Sequence, residues 1–272
     1  MVFLHPDTTN IPRLQAYILP SFPASELEPF KRAFELGTCA PFAPMLELMI
    51  QPAPAGYEGD ASYAHMRRSE DEAGRTEPFV LLDARAAGGR DGSVLYVDRF
   101  ALADEVDDGE AASTDVVWRI RVRTEHLALM HVNYDIANMT LQEDLVELGV
   151  EFPIGVDYEI PEAADSGDPD FVLEERKSQI ALAVAYPGEY EESAEEGLRK
   201  KFLPLPDKVA RLKEGVAEEV GLINDWTIPS LARPVEMPDG SLKEFPEGSV
   251  QLQLRYDPDF DWPEYRWPEG SL

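Results

Sequence analysis

Apolar and polar positions alternate most cleanly at residues 116–123. Val116, Trp118, Ile120 and Val122 share one face, and Arg119, Arg121 and Arg123 share the other. A period of two predicts a β-strand. Phe79-Val80-Leu81-Leu82-Asp83 and Val94-Leu95-Tyr96-Val97-Asp98 are short apolar runs and predict buried strands. The Gly-rich stretch between them allows a hairpin, although it exceeds the usual span of about two to five residues. Leu14–Leu19 and Val250–Tyr256 predict further strands, and Gln179–Tyr186 predicts a strand with a helix as the competing reading.

Helical spacing appears elsewhere. Leu141, Leu145 and Leu148 follow Thr140, with Glu143 three residues after Thr140 and Gly149 closing the run. A capping box, an apolar stripe and a C-cap together predict a helix. The strand at 116–122 reads as passing into this helix through the junction Asn133–Met139, where the Asn133 and Asn138 amides are suited to satisfy backbone groups. Ser25 and Glu28, ahead of Phe30, Ala33 and Phe34, predict another helix ended by Gly37. Ser193 with Glu196 predicts a short one. Asp207 precedes Val209, Leu212, Val216 and Val220, which predict a last helix ended by Gly221. Residues 51–78 and 103–115 read as exposed loops. The sum is an α+β fold, with an antiparallel or mixed sheet and helices packed on one side. The Gly-, Pro- and Asp-rich region at 155–170 is the best linker candidate. Residues 1–155 then read as one α+β domain. Residues 156–272 read as an acidic α+β extension, separate from that core or sharing it.

Charge narrows the partners. The 272 residues hold 24 Lys+Arg against 53 Asp+Glu, a formal charge of −29. Nucleic acid and anionic membrane would be repelled by such a surface. A basic protein partner would be attracted, and solubility alone also explains the excess. No run approaches the ~18 consecutive apolar residues of a membrane helix. The N-terminal residues lack the basic-then-apolar order of a secretory signal. Cys39 is the single cysteine. No intrachain disulfide is available, and a cytoplasmic location is the expectation. Cys39 itself reads as a small buried side chain.

One segment carries a motif. Asn133, Ile136-Ala137-Asn138-Met139, Leu141 and Glu143-Asp144-Leu145 resemble a small bacterial and fungal domain of unknown function, whose members also carry a strand resembling Val94–Arg99. The resemblance covers about residues 79–145. It implies a shared fold and brings no catalytic residue, cofactor or partner with it.

The candidate chemistry is thin. His126 and His131 are five apart, which is not the spacing of a helical zinc pair. No metal site and no cofactor are expected. Asp135 follows His131 by four, so the two meet only if the segment is helical. A His–carboxylate pair would serve acid–base work, and a structurally satisfied histidine is the commoner outcome. Arg119, Arg121 and Arg123 form a ladder suited to binding an anion, or to pairing with the protein's own carboxylates. Trp262 and Trp267 lie in an aromatic, Pro-rich tail that packs on its own domain or docks a partner. Two functions follow as expectations. The first is a non-enzymatic protein-interaction module. The second is a hydrolase-type enzyme that uses His131 or His126 with Asp135 and the arginine ladder as anion clamp.

Overall fold

The computed structural model of the chain describes residues 2–5, 11–42, 44–54, 56–57, 63–164, 171–237 and 239–270. These residues form two compact units. The larger contains Ile11–Ala40, Pro44–Val172 and Arg266–Leu272; the smaller contains Met1–Asn10, Pro41–Ala43 and Leu173–Tyr265. The units interleave along the chain, so a single division at residue 155 does not describe them. The linker candidate belongs to the larger unit up to residue 164, and its residues 165–170 lie outside the described residues.

The larger unit is built on five strands: β1 (Arg13–Ile18), β2 (Glu47–Pro52), β3 (Phe79–Leu82), β4 (Ser93–Phe100) and β5 (Val117–Arg123). Their order is β2-β1-β3-β4-β5. β1 runs parallel to β2 and β3, while β3–β4 and β4–β5 are antiparallel. The sheet is therefore mixed and the fold α+β. The long β3–β4 connection is shortened in effect by two 3-10 turns, Ala84–Ala86 and Gly89–Asp91. Asp83 starts the first by accepting from the Arg85 amide at 2.9 Å.

Five helices accompany the sheet: α1 (Leu27–Gly37), α2 (Tyr63–Glu72), α3 (Ala103–Asp107), α4 (Leu127–Asp135) and α5 (Leu141–Glu147). Phe30 and Phe34 of α1, Leu127 of α4 and Leu145 of α5 pack on Leu14, Val80, Tyr96, Trp118 and Ile120 of one sheet face. Tyr63 and Met66 of α2 pack on Tyr17, Phe79, Leu81 and Val97 of the other. Cover on both faces explains why β3 is apolar at every position.

Several local readings change. Residues 63–72 are helical where a loop was expected. The cause is a buried polar residue, which apolar periodicity does not register. Arg67 is 0% exposed, and its Nη1 donates to Glu77 O at 2.7 Å and Asp98 O at 3.1 Å. β5 does not run straight into α5. It ends at Arg123, and a 3-10 turn (Thr124–His126) and α4 intervene. α1 starts at Leu27 behind a 3-10 turn, with no side-chain cap from Ser25 or Glu28. Gly37 is its last residue and has a packing role: a Cβ there would lie 1.9 Å from the Glu125 carbonyl oxygen. The box at α5 forms as read, with Thr140 N donating to Glu143 Oε2 (2.8 Å) and Glu143 N to Thr140 Oγ1 (3.2 Å). Gly149 ends that segment at φ 78°.

The smaller unit has an antiparallel sheet of Phe3–Leu4, β6 (Ile180–Ala185), Ser230–Leu231 and Val250–Arg255. Ala181, Ala183, Leu252 and Leu254 supply its buried side. Val209–Leu212 is a strand paired with Tyr190–Ser193, and the helix of this region is Glu214–Glu219. Backbone pairing on both edges overrides the helical spacing: Ala210 also exchanges bonds of 2.9 Å with Thr227. Among the described residues, no helix is long and apolar enough to cross a membrane.

Candidate functional site

α4 brings His131 and Asp135 one turn apart on a single helix, the arrangement their spacing allows only there. β4 presents Tyr96 and, two residues on, Asp98. The Tyr96 hydroxyl meets His131 Nδ1 at 3.0 Å. With these residues, Arg99 and Tyr134 line a cavity of about 330 Å³. Its rim is the turn between α4 and α5, contributing Ala137, Met139 and Thr140, together with Gln142 in the first turn of α5. The turn is held by Ile136 N to Val132 O (3.1 Å) and Asn138 N to Asn133 O (2.9 Å), with Ala137 left-handed at φ 54°. The Ile136–Met139 motif therefore shapes a cavity edge.

Burial dominates the electrostatics. It lowers the basicity of His131, with the Asp135 charge opposing. It raises the Asp98 carboxyl, against the pull of Arg99 and Arg67. It raises the Tyr96 phenol well above its ordinary value, and Asp98, Asp135 and Glu77 add to the effect. Tyr134 is raised by burial and by donating to Asp144. Arg99 is held in a fork by Glu105, with Nη1 to Oε2 at 2.9 Å and Nη2 to Oε1 at 2.7 Å. Burial would raise Glu105, but Arg99, the Leu102 amide and the Trp118 indole outweigh it and bring the carboxyl to about 2.

His131 is 8% exposed. Its Nδ1 is tied to Tyr96, and its Nε2 has no partner among the described residues. If the phenol donates to Nδ1, Nε2 carries the ring proton; if Nδ1 donates, Nε2 carries the lone pair. Either way the ring of a residue that lines the cavity can give or take a proton at Nε2. Tyr96, Asp98, Arg99 and Tyr134 escaped the sequence reading. Their signal was weak: Asp98 closes an apolar run, and Tyr96 was absorbed into it as a core residue.

The other candidates lie elsewhere. His126 is buried beside Glu125, 3.7 Å from its Oε1, and does not line the cavity. Of the arginine ladder, Arg119 and Arg121 are 7% and 6% exposed. The Arg119 guanidinium lies between the Tyr63 and Tyr158 rings, 4.4 and 4.0 Å from their centroids, and Nη2 donates to Tyr158 O at 2.7 Å. Its Nη1 is buried and without a partner among the described residues. Arg121 grips Asp83 with both terminal nitrogens. Arg123 reaches Arg90 O at 3.2 Å and Asp91 at 3.4 Å. The concavity at Arg119 and Arg121 also contains Asp157 and Glu159.

Both tail tryptophans pack on their own units. Trp262 sits edge-on to Phe42, Tyr256 and Phe260, with Nε1 bonded to Asp257 O at 2.7 Å. Trp267 lies 5.9 Å from Phe34 and donates to Glu35 at 2.9 Å. Cys39 is buried. Among the described residues, no group of three or more His, Cys, Asp or Glu is arranged to hold a metal ion. No family model matches the chain, and no curated protein or solved structure matches it.

Proposed function

We propose that the larger unit binds a compact polar molecule in the cavity over His131 and exchanges a proton with it. One observation carries this reading: His131, 8% exposed and fixed through Nδ1 by Tyr96, lines a cavity of about 330 Å³ with no bond from Nε2 among the described residues. Ligand cavities fall at roughly 300–1,000 Å³, and titratable groups shifted by burial mark such sites. Burial lowers His131, which favours the neutral imidazole that can act as a base near neutral pH. This retains the acid–base part of the hydrolase expectation without its clamp. The ladder arginines do not line the cavity, and Arg99 is held by Glu105. The Thr140 hydroxyl on the rim is engaged with Glu143, so a hydrolytic nucleophile would be water activated by Nε2.

The test is a small-molecule screen by saturation-transfer NMR on the chain and on Met139→Trp, which fills the rim. Ligands that bind the chain, shift the His131 ring signals and are lost in Met139→Trp support the reading. A screen whose hits bind both proteins equally overturns it.

The formal charge of −29 supports a second reading, an interaction module for a basic protein. Leu203, 95% exposed in the sequence Leu203-Pro204-Leu205-Pro206, adds an apolar contact point. Its mark would be partner capture that weakens steeply with salt; capture indifferent to salt would remove its basis.

A further inference from the structure

We infer that the ligand of the His131 cavity is an organic cation, a protonated amine held by Asp98 and Asp135 against the rings of Tyr96 and Tyr134. The inference rests on the cavity being the functional site and adds the charge of what enters it.

The argument begins with which charges the lining leaves unmatched. Asp98 and Asp135 both line the cavity. Arg99 is the one cation among the described lining residues, and Glu105 holds it in a two-bond fork. Its nearest approach to the Asp98 carboxylate is 3.9 Å, too long for a hydrogen bond. His131 adds no positive charge near neutral pH, because burial favours its neutral form. A ligand therefore meets two carboxylates, an exposed Asp135 and a one-third exposed Asp98, with Arg99 and Arg67 acting on Asp98 only through space and no cation hydrogen-bonded to either. An anion would be repelled. A neutral molecule would desolvate Asp98 further without compensation. A cation supplies the missing charge and forms a charge-assisted hydrogen bond.

The walls agree with that choice. The Tyr96 and Tyr134 rings lie 5.5 Å apart at 65°, and the Tyr96 and His131 rings 5.9 Å apart at 48°. These tilted π-systems border the same cavity as the carboxylates, and their faces attract an ammonium group rather than a carboxylate. His131 supplies an independent pointer: a residue 8% exposed that lines the same cavity, bonded through Nδ1 to Tyr96 and with no bond from Nε2 among the described residues. It would accept from the ammonium N–H or donate to a second polar group on the ligand.

Three probes of one skeleton isolate charge: benzylammonium, benzyl alcohol and benzoate, each titrated into the full chain while the histidine ring resonances are followed by NMR. The expected order is benzylammonium tightest, benzyl alcohol weaker and benzoate undetected. Asp98→Asn, with an unchanged amide spectrum as its control for folding, weakens benzylammonium by about tenfold and leaves benzyl alcohol unaltered. If the alcohol or benzoate binds as well as the amine, or Asp98→Asn spares the amine, the cation assignment falls while the cavity reading stands. If none of the three moves the His131 signals, the cavity reading falls and takes this inference with it.

Discussion

The arginine ladder of β5 and the cavity between β4 and α4 lie in the same unit and share a vocabulary of tyrosines, charges and burial. They differ in where their polar edges end. On the ladder, Arg121 closes on Asp83, and Arg119 lies between two tyrosine rings with Nη2 bonded to Tyr158 O. In the cavity, a buried histidine keeps an open edge, and Asp98 lacks a hydrogen-bonded counter-ion. Clustered arginines are thus poor evidence of a binding face when carboxylates are abundant. A buried histidine that lines a cavity beside a carboxylate without a hydrogen-bonded counter-ion is better evidence, because titratable groups shifted by their surroundings mark such sites.

The sharpest way to break the contrast is Arg121→Met. It leaves Asp83 buried without its cation, and breaking such a pair costs about 3–5 kcal/mol. Urea unfolding should show that loss, and the double variant Arg121→Met/Asp83→Leu should recover much of it. A single-variant loss below about 1 kcal/mol would mean Arg121 behaves as an exposed ion pair, free to bind an anion.

Tyr158→Phe comes next. The ring stays over Arg119, but the hydroxyl that accepts from Arg119 N at 2.7 Å and donates to Arg119 O is lost. Leaving those strand groups unmatched costs about 1–3 kcal/mol. Thermal unfolding together with exchange of the Arg119 amide reads it. An unprotected amide in the unaltered chain would show that residues 156–160 do not hold the ladder closed. Thr140→Ala tests the other region. It removes an N-cap worth about 1 kcal/mol and loosens the cavity rim, so the His131 ring signals should shift along with the melting temperature. A stability loss with unmoved His131 signals would separate the rim from the cavity.

The same contrast explains what the chain made legible. Four of the five strands of the larger unit, and α5, follow from period and capping; the fifth, β2 at Glu47–Pro52, was left unread. α2 was hidden because its buried centre is Arg67, a residue that pattern reading assigns to solvent. α4 was hidden because it is apolar on all sides of its first turns, so no stripe distinguishes it from a continuing strand. The pairing of His131 with Asp135 was conditional on that helix. Tyr96 and Asp98 could not be joined to them from sequence, since the contact spans 35 residues and depends on the β4–β5 register.

The smallest expected effect is a slope, and it asks whether the cavity histidine is as buried as the contrast requires. An unfolded histidine titrates near 6.5. The folded His131 value lies below this, chiefly through burial. As pH falls from that unfolded value toward the folded one, the unfolded chain gains a proton that the folded chain refuses, so stability declines and then levels off below the folded value. Asp98 acts with the opposite sign at lower pH. Its folded carboxyl is raised, so it is protonated while the unfolded one is still ionised, and acidification through that window favours the folded state. Urea titrations at several pH values, on the chain and on His131→Gln, separate the two. The variant should lose the decline below about pH 6.5 and keep the Asp98 component at lower pH. Parallel curves would mean that His131 titrates as it does in water, and the cavity would then be no more closed than the loops around it.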